Sequence, residues 1–241
     1  MVPPSPAPHR IAVIVPVAAG EAAPSEIFFE RVLGAEVPVS LVAAADPEIS
    51  SKVREAFARA GGRVHISSAP RGQRLREAAL LPFEESSSSA EISLFVFLHA
   101  DTLLPVGWER AVRRAIASGA VGGAFRLSFS GGGARMRWVA FWANLRTRLT
   151  RVPYGDQAPF VRRDVYERLG GHPPWPLLDD WDFARRLRGE GHIEILREAV
   201  ETSPRRYLER GVARTVWRNW KTLWRFRRGA TPEELASDYR K

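Results

Sequence analysis

The chain has 241 residues, is 45% hydrophobic and carries a formal charge of +9 at neutral pH, enough apolar material for one compact core beneath a cationic surface. It contains no cysteine, which excludes disulfides, zinc–thiolate sites and cysteine nucleophiles. No stretch approaches the roughly 20 uninterrupted apolar residues that a membrane-spanning helix needs.

The first ten residues, Met1–Arg10, hold too many prolines for the apolar core of a signal peptide and are expected to form a disordered leader. A cytoplasmic location is expected, at the inner face of a membrane if the basic tail docks there. Four short apolar runs follow: Ile11–Val17, Val39–Ala45, Arg63–Ser67 and Ile92–Leu98. Helix-like stretches such as Pro47–Ala60 and Gly72–Phe83 separate them, and Ser86–Ser89 reads as a surface loop. Because each run is nearly continuous rather than alternating in polarity, the pattern predicts βαβ units and a parallel sheet covered on both faces. Ligands of such sheets bind beyond the carboxyl ends of the strands.

The segment Leu94–Leu103 ends its apolar run in Asp101. A carboxylate there is costly to desolvate alone, so it is expected in a cleft or against a cation, and a divalent metal clamping a diphosphate fits. His99, two residues earlier on the same side, is read as a supporting residue of that place. Pro105–Ser118 is predicted as an amphipathic helix with Trp108, Val112, Ala115 and Ile116 on one face, and Ala120–Ser130 as a strand ended by Gly131–Gly133.

All eight tryptophans lie beyond residue 107. Gly155, Asp156 and Gln157 fall in a turn between apolar stretches, offering an acceptor and an amide to a polar ligand. Asp179, Asp180 and Asp182 then open a short helix that Arg185–Arg188 and Gly189 or Gly191 close. Capping accounts for one or two of these acids. A third, following Pro173-Pro-Trp-Pro176, fits a general base near a substrate hydroxyl, with Trp175 and Trp181 placed to stack on a ligand.

Gly211–Arg228 reads as a helix with Ala213, Val216, Trp217, Trp220, Leu223 and Trp224 on an apolar face and Arg214, Arg218, Lys221 and Arg225 beside it. Residues 203–241 hold 11 Lys/Arg against 4 Asp/Glu, a net +7. Such a helix suits docking onto the protein's own core, and equally a membrane surface or an anionic acceptor. Its tryptophans share one face instead of alternating with the basic residues, which argues against nucleic acid.

Taken together, Ile11–Pro16, Phe97-Leu-His-Ala-Asp-Thr102, Val121–Phe125, Pro153-Tyr-Gly-Asp-Gln157, Leu178-Asp-Asp-Trp-Asp182 and Arg205-Arg206 resemble the family 2 glycosyltransferases of the GT-A fold. Within them the chain is most similar to a bacterial subgroup associated with radical-SAM and arsenosugar-type gene clusters. The resemblance is good from about residue 92 onward and thin before it. It implies an α/β fold, Rossmann-like, with a mixed, mostly parallel sheet flanked by helices. The implied core spans residues 11–209, with basic amphipathic helices over 210–241 packed on or beside it.

The resemblance further implies a nucleotide-sugar donor, a divalent metal (Mn2+ or Mg2+) on Asp101, and an inverting displacement onto a small-molecule or lipid-linked acceptor. The base would be Asp180, and Asp179 stands where the family usually has Glu. Pro16, Asp46, Arg71 and His99 would border the donor. Gly155, Asp156, Gln157, Trp175, Asp179 and Asp182 would border the acceptor, with Arg205 and Arg206 near the diphosphate or acceptor. The departures lie in the nucleotide half. The family's Pro-x-x-Asn-Glu is replaced by Pro16-Val-Ala-Ala-Gly-Glu21, and the acid-rich segment after the second strand by Ala43-Ala-Ala-Asp-Pro-Glu48, where Asp46 would substitute from a shifted position. Pro70-Arg-Gly-Gln73 keeps the family's Arg-Gly. The uneven loss also allows a non-catalytic homologue that binds a sugar, a nucleotide or a partner protein.

Overall fold

The computed structural model describes residues 10–82 and 92–240. The leader as far as residue 9 and the serine loop lie outside these, and Arg10, assigned above to the leader, opens the first strand. The first part alternates strand and helix: β1 (Arg10–Val17), α1 (Glu26–Leu33), β2 (Val39–Ala45), α2 (Ser51–Arg59), β3 (Arg63–Ile66), α3 (Arg71–Ala79) and β4 (Ile92–Phe97). Next come β5 (Thr102–Leu103), α4 (Trp108–Ala117), β6 (Gly122–Phe129), α5 (Gly133–Thr150), a 3-10 turn at Gly155–Gln157, β7 (Phe160–Arg162) and α6 (Arg163–Arg168). The chain continues through α7 (Asp179–Glu190), β8 (Ile193–Thr202), α8 (Arg205–Arg210), α9 (Val212–Arg227) and α10 (Pro232–Arg240).

Among the described residues the strands form one eight-stranded sheet in the order β3-β2-β1-β4-β7-β6-β8-β5. The first four strands are parallel neighbours, with Ile11 opposite Val39 and Val13 opposite Val96. β7 is antiparallel to both β4 and β6, β6 is parallel to β8, and the short β5 is antiparallel to β8. β1 shows why its sequence is apolar throughout. Ile11, Val13, Val15 and Val17 face one core with Phe28, Phe57 and Trp108, while Ala12 and Ile14 face the other with Leu75, Phe95 and Tyr166. Both β1 and β4 therefore end in the middle of the sheet, and the residues that follow them emerge together.

The strand β8 is absent from the reading of the sequence because Glu194, Arg197, Glu198 and Glu201 interrupt its apolar residues. Its buried positions are Ile193, Leu196, Val200 and Thr202. The helix α9 forms as predicted, but its tryptophan face does not dock onto the core. Trp217, Trp220 and Trp224 are exposed, and Thr215 is its buried residue.

Candidate functional site

Beyond the carboxyl ends of β1 and β4 lies a cavity of about 650 Å³. After β4 the chain turns at once. The Thr102 N–H donates to the His99 carbonyl (3.1 Å), and Ser203 N–H donates to the Asp101 carbonyl (3.1 Å). The Thr102 hydroxyl bonds that of Thr202 across the β5–β8 pair (2.9 Å). The backbone of Asp101 is thus fixed on both sides while its side chain stays exposed at the cavity wall.

The opposite wall is the start of α7. Leu178 takes a left-handed conformation (φ 63°), which costs a non-glycine residue about 1 kcal/mol and aims the next two carboxylates. Asp180 accepts from the Gly155 N–H (2.7 Å) through Oδ2 and from the Trp181 N–H (2.8 Å) through Oδ1. Asp179, 1% exposed, accepts at both carboxylate oxygens from one nitrogen, Arg71 Nη1 (2.7 and 2.6 Å). Arg71 Nη2 lies 3.1 Å from His99 Nε2. Gly155 sits among these groups: a Cβ on it would stand 2.8 Å from Asp180 Oδ2 and 2.9 Å from His99 Nε2. Gly72 has no more room, since a Cβ there would lie 2.0 Å from the Pro173 carbonyl oxygen.

Burial and the neighbouring Arg71 charge lower the His99 pKa to about 4, so at neutral pH the ring is uncharged and its Nε2 can accept from Arg71. Burial pushes Asp179 up to about 6, with Arg71 opposing it. Burial also raises Asp156, whose Oδ1 has no hydrogen-bond partner, and Arg146 opposes that shift. Glu21 is raised by burial, opposed by its bond from the Ala18 N–H (2.8 Å) and reinforced by the charge of Asp101.

Among the described residues no three His, Asp or Glu side chains form a ready-made metal cage. The donor set still fits a divalent ion that arrives with a diphosphate, because Mg2+-type ions commonly take one or two carboxylates and complete their shell with phosphate oxygens and water. Asp101 and Glu21 are two such carboxylates, and both line the cavity.

Of the residues singled out in the sequence, Pro16, Arg71, His99 and Asp101 meet Gly155, Asp156, Asp179, Asp180 and Arg206 in this one cavity. The others are placed differently. Asp46 pairs with Arg74 (2.7 Å), and it is Arg74 that reaches the cavity. Gln157, fully buried, accepts from Thr147 (2.7 Å) and donates to the Phe125 carbonyl (3.3 Å), so it fixes the turn and does not line the cavity. Asp182 is held by Arg186 (2.7 Å) along its own helix. Trp175 and Trp181 pack edge-on against Phe226 and hold α9 instead of lining the cavity. Arg205 points away, toward Glu209.

The sequence reading missed Glu21 as a site residue, because its place depends on the loop folding back through Ala18. It also missed the third wall, made by Tyr207 and Arg210 of α8, Asn219 and Thr222 of α9 and Tyr239 of α10. The polar face of α9 was the available signal.

No protein-family model matches the chain, and no curated protein matches it. Solved structures do. A mannosyltransferase of Pyrobaculum calidifontis, PcManGT, solved with GDP-Man and Mn2+, superposes with a TM-score of 0.62 at 18% identity over 95% of this chain and 68% of that one. The fold is that of the GT-A glycosyltransferases. S. aureus TarS, as residues 1–349, matches with a TM-score of 0.52 at 14% identity over 83% of this chain. The chain spans 62% of that TarS fragment and 36% of the longer TarS structure, which it matches at 13% identity and a TM-score of 0.52.

Proposed function

We propose that the protein transfers a sugar from a nucleotide-sugar donor to a hydroxyl of a small or lipid-linked acceptor, with inversion. The observation that carries this reading is the meeting of Asp101 and Asp180, far apart in sequence, in one cavity at the strand ends together with the cations Arg71 and Arg206. The cavity is large enough for a nucleotide-sized ligand. Asp101, with Glu21 beside it, would hold a divalent ion. When bound, that ion supplies neutralisation of the departing diphosphate. Arg206 adds fixed positive charge from the α8 side.

Asp180 takes the acceptor proton. Its two backbone N–H bonds fix the carboxylate while leaving it lone pairs for a hydroxyl. The acceptor oxygen bonds to the anomeric carbon, the bond from that carbon to the diphosphate oxygen breaks with its electron pair leaving on the diphosphate, and the proton passes to Asp180. Asp179 acts through Arg71, since that guanidinium occupies both of its oxygens. Asp156 also lines the cavity and is suited to border the acceptor. The order of the His-Ala-Asp, Pro-Tyr-Gly-Asp-Gln and acid-cluster motifs supports grouping the chain with the family 2 enzymes and the bacterial subgroup they resemble.

A second reading, binding of a nucleotide sugar without transfer, is favoured by one observation: the acid after β2, Asp46, is already engaged by Arg74. Incubation with a panel of nucleotide sugars and release of nucleoside diphosphate, with Mn2+ and with chelator, separates the two. Metal-dependent release that Asp180→Asn abolishes supports transfer, whereas tight binding without release supports the second reading.

A further inference from the structure

We propose that the outward faces of α5 and α9 form a docking surface for an anionic lipid bilayer. This inference goes beyond the transfer reaction and does not depend on it.

The argument starts from the direction in which α9 faces. An amphipathic helix packed on a soluble core turns its apolar stripe inward. α9 is turned the other way: Val216, Trp217, Trp220 and Trp224 are 44%, 58%, 63% and 41% exposed. The side facing the protein carries Thr215, 1% exposed, and the cavity-lining Asn219 and Thr222. Most of the residues spaced to bury a helix are thus left in water, and the cavity takes Leu223 with the polar ones.

A second helix repeats the arrangement. On α5, Trp138, Phe141, Trp142 and Leu149 are 62%, 58%, 49% and 75% exposed at helical spacing, and Trp142 meets both Trp138 and Phe141 edge-on. Each indole left in water forgoes the burial that normally stabilises it, and contiguous exposed apolar surface marks an interaction site.

Charge decides the occupant. Neither α5 nor α9 contains a single acid, while exposed Arg135, Arg137, Arg148, Arg214 and Lys221 flank the rings. Lys221 lies 4.9 Å from the Trp217 ring and Arg228 4.0 Å from the Trp224 ring, so cations and indoles occupy the same surface level. Tryptophan with arginine and lysine at one depth is the pattern of a helix lying in the headgroup region, where the rings enter the acyl boundary and the cations meet anionic headgroups.

α9 lines the cavity through Thr215, Asn219, Thr222 and Leu223, and α5 touches a residue of its wall. Phe129, just before α5, meets Tyr207 of α8 at 5.4 Å, and Arg146 of α5 stacks 3.5 Å over Tyr154, a cavity residue. No helix among the described residues is long and apolar enough to cross a membrane, so the association is a surface one.

The test is co-sedimentation of the full chain with vesicles of phosphatidylcholine alone and of phosphatidylcholine mixed with phosphatidylglycerol, beside quenching of its tryptophan fluorescence by brominated lipids. The expected result is binding to the anionic vesicles with quenching, weakened roughly tenfold or more in Trp217→Ser/Trp220→Ser/Trp224→Ser with an unchanged circular dichroism spectrum. Quenching in the unaltered chain reads ring insertion without any variant. Failure of the intact chain to bind anionic vesicles overturns the proposal, as does equal binding by the triple variant. A dimer that the triple variant dissolves, without vesicle binding, assigns the face to a second copy of the chain instead.

Discussion

The cavity wall made by the strand ends and the start of α7 differs from the wall made by α8, α9 and α10 in how its side chains are held. In the first, Asp180 is bonded by two backbone N–H groups, Asp179 takes Arg71 Nη1 at both oxygens, and Gly155 leaves no slack against Asp180 and His99. In the second, α8 buries no residue and α9 buries Thr215, with Phe226 as its wedge against Trp175 and Trp181. The difference teaches where precision is needed. On the proposed function, the first wall holds the group that takes the proton and must be in place beforehand, while the looser second wall adds the Arg206 charge and encloses the acceptor.

The sharpest way to break this contrast is to alter the fixed wall. Asp180→Asn keeps the shape but removes the proposed base, and a loss of about 10²–10⁴ in turnover is expected; the amide can keep only one of the two backbone N–H bonds, which should cost about 1–3 kcal/mol of stability. An active Asp180→Asn enzyme would move the base elsewhere. Arg71→Ala strands Asp179 in a buried place without its cation, and a stability loss of about 3–5 kcal/mol should appear in urea unfolding. Gly155→Ala forces the new methyl against Asp180 and His99, and about 1–3 kcal/mol of destabilisation is expected together with a loss of turnover.

Acidification sharpens the comparison more gently. His99 has its pKa near 4 in the folded protein against an ordinary 6.5, so between those values the unfolded chain binds the proton more readily and stability falls as the pH drops. Buried His172 acts in the same direction, and Asp179, raised to about 6 from 3.8, acts against both. His99→Gln removes one contribution, so wild type should lose about 1–2 kcal/mol more than the variant between pH 7 and pH 5 in urea melts. The smallest effect belongs to the loose wall. Arg225→Ala removes a half-exposed ion pair with Asp238 and should cost no more than about 1 kcal/mol.

The parallel half of the sheet was legible because strands buried on two faces must be apolar throughout, as β1 and β2 are. That Asp101 and Asp180 would reach one cavity was legible because the first follows a buried strand and the second opens a helix. Gln157 and Trp175 were misread: a turn amide and an indole beside an acid cluster look alike whether they face a ligand or brace the chain, and here Thr147 and Phe226 claim them. The orientation of α9 was beyond reach for a different reason. Periodicity tells which residues share a face, and it does not tell whether protein or solvent lies on that side.

The central claim is that the fixed wall is a donor site, and the most direct measurement is a thermal-shift panel of UDP-, GDP-, ADP-, CDP- and dTDP-sugars, with and without Mn2+, on wild type and Asp101→Ala. A metal-dependent rise in Tm with one nucleotide, absent in Asp101→Ala, is the predicted result. No shift with any of them, or an equal shift in the variant, would contradict it.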